Sequence, residues 1–577
     1  MCGILGGNID CWDYSNGIKA LHHRGPDSHR VVVKNKMTLA FARLSIIDLS
    51  NSAMQPMSSA DGKVTIVFNG EIYGYQKLRE QLIKKQHFCS ESDTEVILNA
   101  YMEYGDDFIH HIDGMFAIAI LDEREGKIKL FRDRAGIKPL YYYVNGDMFA
   151  FSSELKAFNA AKGGMKWDID YTGVYDYLFY GYIPEPKTLY KNCYKLRPAH
   201  KLVYDIRNKK IVCDDEYWKV LINPRKSRQR EEKELAEELK ELIHQSVQEQ
   251  LVADVPVGTF LSGGIDSSII TYEANVLSPN IETFTIGFDE KAYDETYYAQ
   301  ILIDKYNLNA KRKILQTSDV SNLKEYLSGW YDEPFADTSA FPTYIVSKFA
   351  KEFVTVVLTG DGGDELFGGY SRYRFLAERA HKLKLNSHFL SKVANITGLR
   401  DAFYDLDIMQ YFDTEFDCYL SHILLTRPEK TIDLKKQWRI DPDYDETWHL
   451  KKYYHNDLPL MTRVCYLDFK TYLPGDILTK VDRVSMANSL ECRVPFLSKK
   501  IIEFAFSLSE EERASAGDLK KILKDAYKTE LTEELLYRTK KGFSVPPSYI
   551  KTARTEFTPV TRLLLRHYWP NLERGIS

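Results

Sequence analysis

Val255-Pro-Val-Gly-Thr-Phe-Leu-Ser-Gly-Gly-Ile-Asp-Ser-Ser268 is the stretch on which the reading of this chain turns. Val255 to Leu261 has the apolar run of a buried strand, two glycines follow, and helical spacing begins at Ile265. Strand, Gly-Gly turn and helix in that order aim backbone N–H groups and a helix's positive end at one point, which suits an anion. Gly263, Gly264 and Ile265 shape the turn, while Ser262 and Ser267 add hydroxyl donors. Asp266 lies inside the loop, where a carboxylate is unfavourable unless it helps to hold a cation such as Mg²⁺. The Gly-Lys-Ser/Thr ending of a Walker A loop is absent. Taken alone, the tetrapeptide also reads as a tight strand-to-helix turn.

Towards the C-terminus, Leu358-Thr-Gly-Asp-Gly-Gly-Asp-Glu365 likewise follows an apolar run, Phe353 to Leu358. Ile281 to Ile286 is a further buried-strand candidate, and helical segments separate the three, which is the signature of a parallel α/β sheet. Both glycine loops then fall at the sheet's carboxyl edge, where ligands of such sheets bind. Asp361, Asp364 and Glu365 crowd that edge with negative charge that Mg²⁺ would offset. From about Ser371 the chain reads as mostly helical.

Towards the N-terminus, Leu235, Leu239, Ile243, Val247 and Leu251 recur every four residues as one helical face. Between Arg207 and Arg230 the pattern weakens and charge rises. Two domains are therefore expected, 2–206 and 231–577, joined by a linker at 207–230. The first domain reads as α+β: short strands at Val64–Phe68, Met115–Leu121 and Lys127–Phe131, helices at Tyr75–Lys85 and Thr94–Tyr104.

A net charge of -5 and a pI near 6.3 leave no basic footprint for nucleic acid. The longest apolar runs fall far short of the ~20 residues that span a bilayer, and the N-terminus lacks a signal-peptide pattern. The 8 cysteines are scattered without a Cys-x-x-Cys pair, so no disulfide framework is expected and a cytoplasmic location is. The sequence is silent on oligomeric state; a homodimer is an open expectation.

Cys2 follows the initiator Met and precedes Gly3. Removal of Met1 would leave Cys2 with a free α-amine of pKa ~7.7–8.0, a base for its own thiol. Phe68-Asn-Gly-Glu-Ile-Tyr73 ends a strand in a polar turn, where the Asn69 amide and Gly70 N–H suit an oxyanion. Arg43 offers a fork for an α-carboxylate, and Asp93 with Glu71 offers charge for an α-ammonium. Each has a plainer alternative as a small second residue, a hairpin turn or a surface ion pair.

Met1-Cys-Gly-Ile4, His23-Arg-Gly-Pro-Asp27, Arg43-Leu-Ser-Ile-Ile-Asp48, Phe68 to Tyr73, Arg132 to Tyr142 and Phe151 to Ala157 together resemble the class II glutamine amidotransferases, which are Ntn hydrolases of layered αββα form. The Ser262 loop resembles that of N-type ATP pyrophosphatases. With Leu358–Tyr370, Leu478–Met486, Leu490–Leu497 and Arg538–Phe543, the whole resembles the glutamine-hydrolysing asparagine synthetase family. Gly74 departs from the family's usual Asn, outside the oxyanion residues.

The resemblance implies that Arg43, Leu44, Ile47, Asn69, Gly70, Glu71 and Asp93 bind glutamine. Phe260, Ile286 and Thr359-Gly360 would line adenosine, and Ser262 to Ser267 would hold pyrophosphate, with Asp266 and Asp364 on Mg²⁺. Asp361, where some members have Glu, and Lys540 would act in adenylation and amidation. The implied substrates are glutamine, ATP and aspartate. In Asp332-Glu-Pro-Phe-Ala-Asp-Thr-Ser-Ala-Phe-Pro-Thr343, however, no arginine stands near Thr338, where some relatives have one for the acceptor carboxylate. Other carboxylates, such as sugar uronates, stay open, as does a glutaminase whose ATP half only binds.

Overall fold

The computed structural model describes residues 1–222, 231–290, 293–316, 319, 327–380, 414–426, 431–514 and 517–538. Its first part contains β1 (Gly3–Gly7), β2 (Ser28–Lys34), β3 (Met37–Arg43), β4 (Met57–Ser58), β5 (Val64–Tyr73), β6 (Asp113–Asp122), β7 (Lys127–Arg132), β8 (Tyr141–Asn145), β9 (Met148–Ser152), β10 (Cys193–Lys195), β11 (His200–Asp205) and β12 (Lys210–Glu216). They form two antiparallel sheets, ordered β10-β8-β9-β1-β3-β2 and β12-β11-β7-β6-β5-β4.

The alternation of β6 shows how the layers are made. Ala117, Ala119 and Leu121 point between the sheets, where they meet Ile4, Phe41 and Phe151. Phe116, Ile118 and Ile120 point the other way, onto Val96 and Ile97 of the helix Asp93–Tyr104 and Leu78 of the helix Tyr75–Leu82. On the far side, Ile18 and Phe158 of the helices Tyr14–Lys19 and Leu155–Ala161 cover Leu5 and Ala40. Both faces of both sheets are thus buried, giving an αββα sandwich.

Two details differ from the sequence reading. β5 does not stop at Phe68 but runs through Asn69 and Gly70 to Tyr73, fully paired with β6. The polar residues that suggested a turn are buried in the ladder, and side-chain partners make that tolerable. The second sheet also continues into β12, inside the stretch 207–230. As an outermost strand with half-exposed residues, β12 carries little apolar alternation to read.

Beyond it, β13 (Val257–Phe260), β14 (Glu282–Phe288), β15 (Ala310–Leu315), β16 (Val356–Leu358) and β17 (Glu491–Arg493) form a sheet ordered β15-β14-β13-β16-β17, parallel at every pairing. The helices Ile265–Leu277, Thr296–Tyr306 and Ala340–Lys351 lie between its strands in the chain. The rest is largely helical. One stretch runs from the helix Leu460–Lys470 through a π-helical turn at Leu473–Ile477 into the helix Leu478–Met486. Pro474, which has no N–H to donate, lies in that widened turn. No helix among the described residues is long and apolar enough to cross a membrane.

Candidate active sites

Cys2 stands just before β1, its backbone N–H donating to Asn69 Oδ1 at 3.0 Å and its thiol 3.8 Å from the Leu44 carbonyl. This contact fixes the orientation of the Asn69 amide: Oδ1 faces Cys2, and Nδ2 is buried without a partner. An orphaned buried donor costs free energy unless something transient uses it, and an oxyanion at the Cys2 thiol would do so. Gly70 follows in β5 at φ 153°, where a Cβ would lie 2.0 Å from the Met115 carbonyl oxygen. No other residue fits there.

A cavity opens beside the thiol, lined among others by Arg43, Leu44, Ile47, Gly70, Glu71 and Asp93. The structure therefore brings these sequence-predicted residues together, with Asn69 directly behind Cys2. Arg43 is anchored by donating to the Ser50 carbonyl at 2.8 Å and the Asp48 carbonyl at 2.5 Å. Asp93 accepts from the Ile72 N–H at 3.1 Å, and burial raises its carboxyl to about 6. Glu71 is pushed well up by burial and by the neighbouring Asp93, against the pull of Arg493. An ammonium placed between these carboxylates would relieve their mutual repulsion. Burial raises the Cys2 thiol, and the nearby N-terminal ammonium opposes that shift.

At the second site the two glycine loops meet. A Cβ on Gly360 would lie 2.6 Å from the Ser267 nitrogen, and one on Gly363 would lie 2.5 Å from Asp266 Oδ1. Only glycine lets the backbones approach so closely at Gly360, and Gly363 leaves room for the Asp266 carboxylate. Ser262 and Ser267 hydroxyls face each other at 3.0 Å, and Thr359 donates to Asp361 Oδ2 at 2.7 Å. Phe260 ends β13 and Ile286 lies on the adjacent β14.

The sequence reading missed the cation here. Lys520 Nζ pairs with Asp266 and lies 2.5 Å from Asp364 Oδ1. Burial alone would lower its ammonium, but Asp266 and then Asp364 outweigh that and hold it above its ordinary value. Lys520 sits at φ 57° immediately before the helix Lys521–Tyr527, where the helix dipole disfavours a cation. Nothing local in Asp518-Leu-Lys-Lys521 marks it in the sequence. Lys540 lies outside the described residues.

Among the described residues no group of three or more His, Cys, Asp or Glu could by itself hold a metal ion. Mg²⁺, however, is commonly held by one or two carboxylates plus substrate phosphates, and Asp266 with Asp364, now paired to Lys520, would fit such a donor set.

A buried seam joins the two sites. Arg493 Nη2 lies 3.2 Å from Glu71 Oε2 and Nε lies 2.7 Å from Glu491 Oε1, while the Arg493 carbonyl accepts from the Thr359 N–H at 2.9 Å. While Met1 is in place, before the removal that would free the Cys2 amine, its ammonium contacts Glu491 at 2.8 Å and its side chain packs with Leu44, Ile46, Val356 and Met486. Arg24 spans Glu154 and Asp482, each at 2.7 Å.

Comparison with known proteins identifies the family. The profile of the glutamine amidotransferase domain matches residues 1–218, and that of asparagine synthase matches residues 238–566. The chain is 34% identical over 530 residues to asparagine synthetase [glutamine-hydrolyzing] 1 of Bacillus subtilis, covering 91% of this chain and 82% of that one. It is 35% identical over 543 residues to a putative asparagine synthetase [glutamine-hydrolyzing] 2 of Methanocaldococcus jannaschii, covering 86% and 100%. Amidase chry2 of Gibberella zeae is 28% identical over 594 residues, covering 93% and 85%. The chain belongs to the family of glutamine-hydrolysing asparagine synthetases, ATP-dependent carbon–nitrogen ligases that take their amido group from glutamine.

Proposed function

We propose that this enzyme makes asparagine from aspartate, with Cys2 as the glutaminase nucleophile and the loops around Ser262 and Asp361 as the ATP site. The sulfur of Cys2 attacks the glutamine side-chain amide. The tetrahedral oxyanion is held by Asn69 Nδ2 and the Gly70 N–H, ammonia leaves, and water releases glutamate from the thioester. Arg43 takes the glutamine α-carboxylate, and Asp93 with Glu71 takes its α-ammonium.

At the other site the acceptor carboxylate attacks the α-phosphorus of ATP and pyrophosphate departs. The acyl-adenylate now has AMP as a leaving group, and ammonia displaces it to form the amide. Ser262 to Ser267 cradle the phosphates, Phe260, Ile286, Thr359 and Gly360 border the nucleoside, and Lys520 offsets phosphate charge. Asp266 and Asp364 would hold Mg²⁺, which supplies further charge neutralisation when bound. The division into a glutaminase unit and an ATP unit, near 2–206 and 231–577, belongs to the same proposal.

The observation that carries this reading is the seam: Arg493 touches Glu71 of the glutamine cavity with its side chain and Thr359 of the nucleotide loop with its backbone. Aspartate as acceptor is supported by the surroundings of Lys480. Its Nζ lies 2.8 Å from Asp337 Oδ2 and 2.8 Å from Ser339 Oγ. Asp476, in the π-helical turn, is pushed well above the usual carboxylate range by burial and by Asp337. A buried carboxyl pair of this kind suits the α-ammonium of an amino acid.

A second reading, a uronate or other carboxylate acceptor, is favoured by one observation: Thr338, between Asp337 and Ser339, offers no cation for the α-carboxylate that aspartate carries beside its reacting one. ATP–pyrophosphate exchange screened against a carboxylate panel separates the two. Exchange with aspartate is expected. Exchange with uronates alone would install the second reading, and none across the panel would leave a glutaminase with an ATP-binding scaffold.

A further inference from the structure

Arg538 opens the string Arg538-Thr-Lys-Lys-Gly-Phe543, and its guanidinium is buried, with a side-chain exposure of 5%. One arm, Nη2, lies 2.6 Å from Glu295 Oε1. The other, Nη1, is buried with no hydrogen-bond partner. The guanidinium stacks over the Tyr298 ring, with Cζ 4.4 Å from its centroid. Half of a charged fork is thus satisfied and half is left dry, a state that costs free energy unless a ligand completes it.

The surroundings indicate which ligand. Tyr298 and Ala299 are in the first turn of the helix Thr296–Tyr306, and this turn lies against the phosphate loop. A Cβ on Gly263 would be 2.8 Å from the Ala299 nitrogen and 2.9 Å from Tyr298 Cβ. Gly263 sits at φ 78°, a conformation that keeps the loop pressed on that turn. The positive ends of two helices, Ile265–Leu277 and Thr296–Tyr306, therefore flank one short loop. Lys520 stands at the Asp266 side of the loop, and Arg538 stands on the Tyr298 side.

We infer that Arg538 is a binding residue for the β- and γ-phosphates of ATP and for the pyrophosphate they become, donating through Nη1 while Glu295 and Tyr298 hold its fork in place. The inference rests on the ATP reading above and adds a recognition group to it. A planar, permanently charged fork matches a phosphate's oxygens better than a lysine point charge does.

The test is direct binding of inorganic pyrophosphate and of AMP, in magnesium-containing buffer, to the full chain and to Arg538→Met and Arg538→Lys. A hydrogen bond to a charged group corresponds to about 10- to 100-fold in Kd. Arg538→Met should weaken pyrophosphate by that factor and leave AMP, which lacks the β- and γ-phosphates, and glutaminase turnover unchanged. Arg538→Lys should restore part of the loss. Unchanged pyrophosphate binding in Arg538→Met would overturn the inference. So would an equal loss of pyrophosphate binding, AMP binding and glutaminase, because that marks a merely structural residue. Absence of pyrophosphate binding in the unmodified chain would instead overturn the ATP reading itself.

Discussion

The two sites are assembled in opposite ways. The proposed glutamine cavity is set inside a sandwich of antiparallel sheets, and its key groups are already positioned by the protein: Asn69 by the Cys2 N–H, Asp93 by the Ile72 N–H, Arg43 by two carbonyls. The proposed nucleotide site is made of loops at the edge of a parallel sheet, and its charges neutralise one another. Lys520 lies between Asp266 and Asp364, and the Ser262 and Ser267 hydroxyls face each other. The first site has its polar groups held by backbone partners before substrate arrives. The second must exchange internal partners for substrate, so its groups are coupled and single changes there spread. A site built by strand register should lose one function cleanly when one residue is changed.

The sharpest break in that comparison is Cys2→Ala. Loss of the nucleophile should lower glutamine-dependent synthesis about 10³-fold or more, while synthesis from added ammonium salt continues near its original rate. Assays of product amide with the two nitrogen sources check this. Equal loss from both sources would mean that the sites are not separable.

Lys520→Met tests the coupled site. Removing the cation leaves Asp266 and Asp364 facing each other, so adenylation should fall about 10²- to 10³-fold, read as acceptor-dependent pyrophosphate release. Glutaminase turnover, measured as glutamate without acceptor, should be little changed. A small effect on pyrophosphate release would show that Lys520 only fills space between the loops.

The smallest effect is in pH. Burial holds the Asp93 carboxyl at about 6, above its ordinary range. A raised carboxylate is ionised above that value and protonated below it, so attraction for the glutamine ammonium is present above about pH 6 and lost beneath it. KM for glutamine should therefore rise roughly tenfold per unit as pH falls below about 6. Asp93→Asn should give a high KM that no longer changes with pH, and a profile in Asp93→Asn identical to the unmodified enzyme's would assign the titration elsewhere.

Much of this was readable from the chain because the chemistry sits on local signals. Gly-Gly after an apolar run, Cys2 at the start and the acidic loop at 358–365 need no partner to be noticed. What could not be read depends on residues far apart in sequence. Asn69 and Gly70 looked like a turn, since nothing in Phe68–Tyr73 reveals that Cys2 and β6 supply their partners. Lys520 went unnoticed, because its meaning comes from two loops more than a hundred residues earlier. Layered sheets with helices outside were legible from the mixed pattern, but their αββα order came from the family resemblance and not from periodicity. Strands buried on both faces lose the polar alternation by which strands are recognised.

Arg493 has a consequence for how such chains can be recombined. Its donors reach Glu71, Glu491 and the carbonyls of Gln250 and Val252, the last two at 2.7 Å each, and its own carbonyl holds Thr359. These partners come from both sides of any cut placed between the halves. A hybrid that takes one half from a relative inherits only part of this set, and an unmatched buried guanidinium or carboxylate is costly to leave. The two halves are thus not interchangeable cassettes. They are inherited as a matched pair, and a functional graft has to carry residues 71, 250–252, 359, 491 and 493 together.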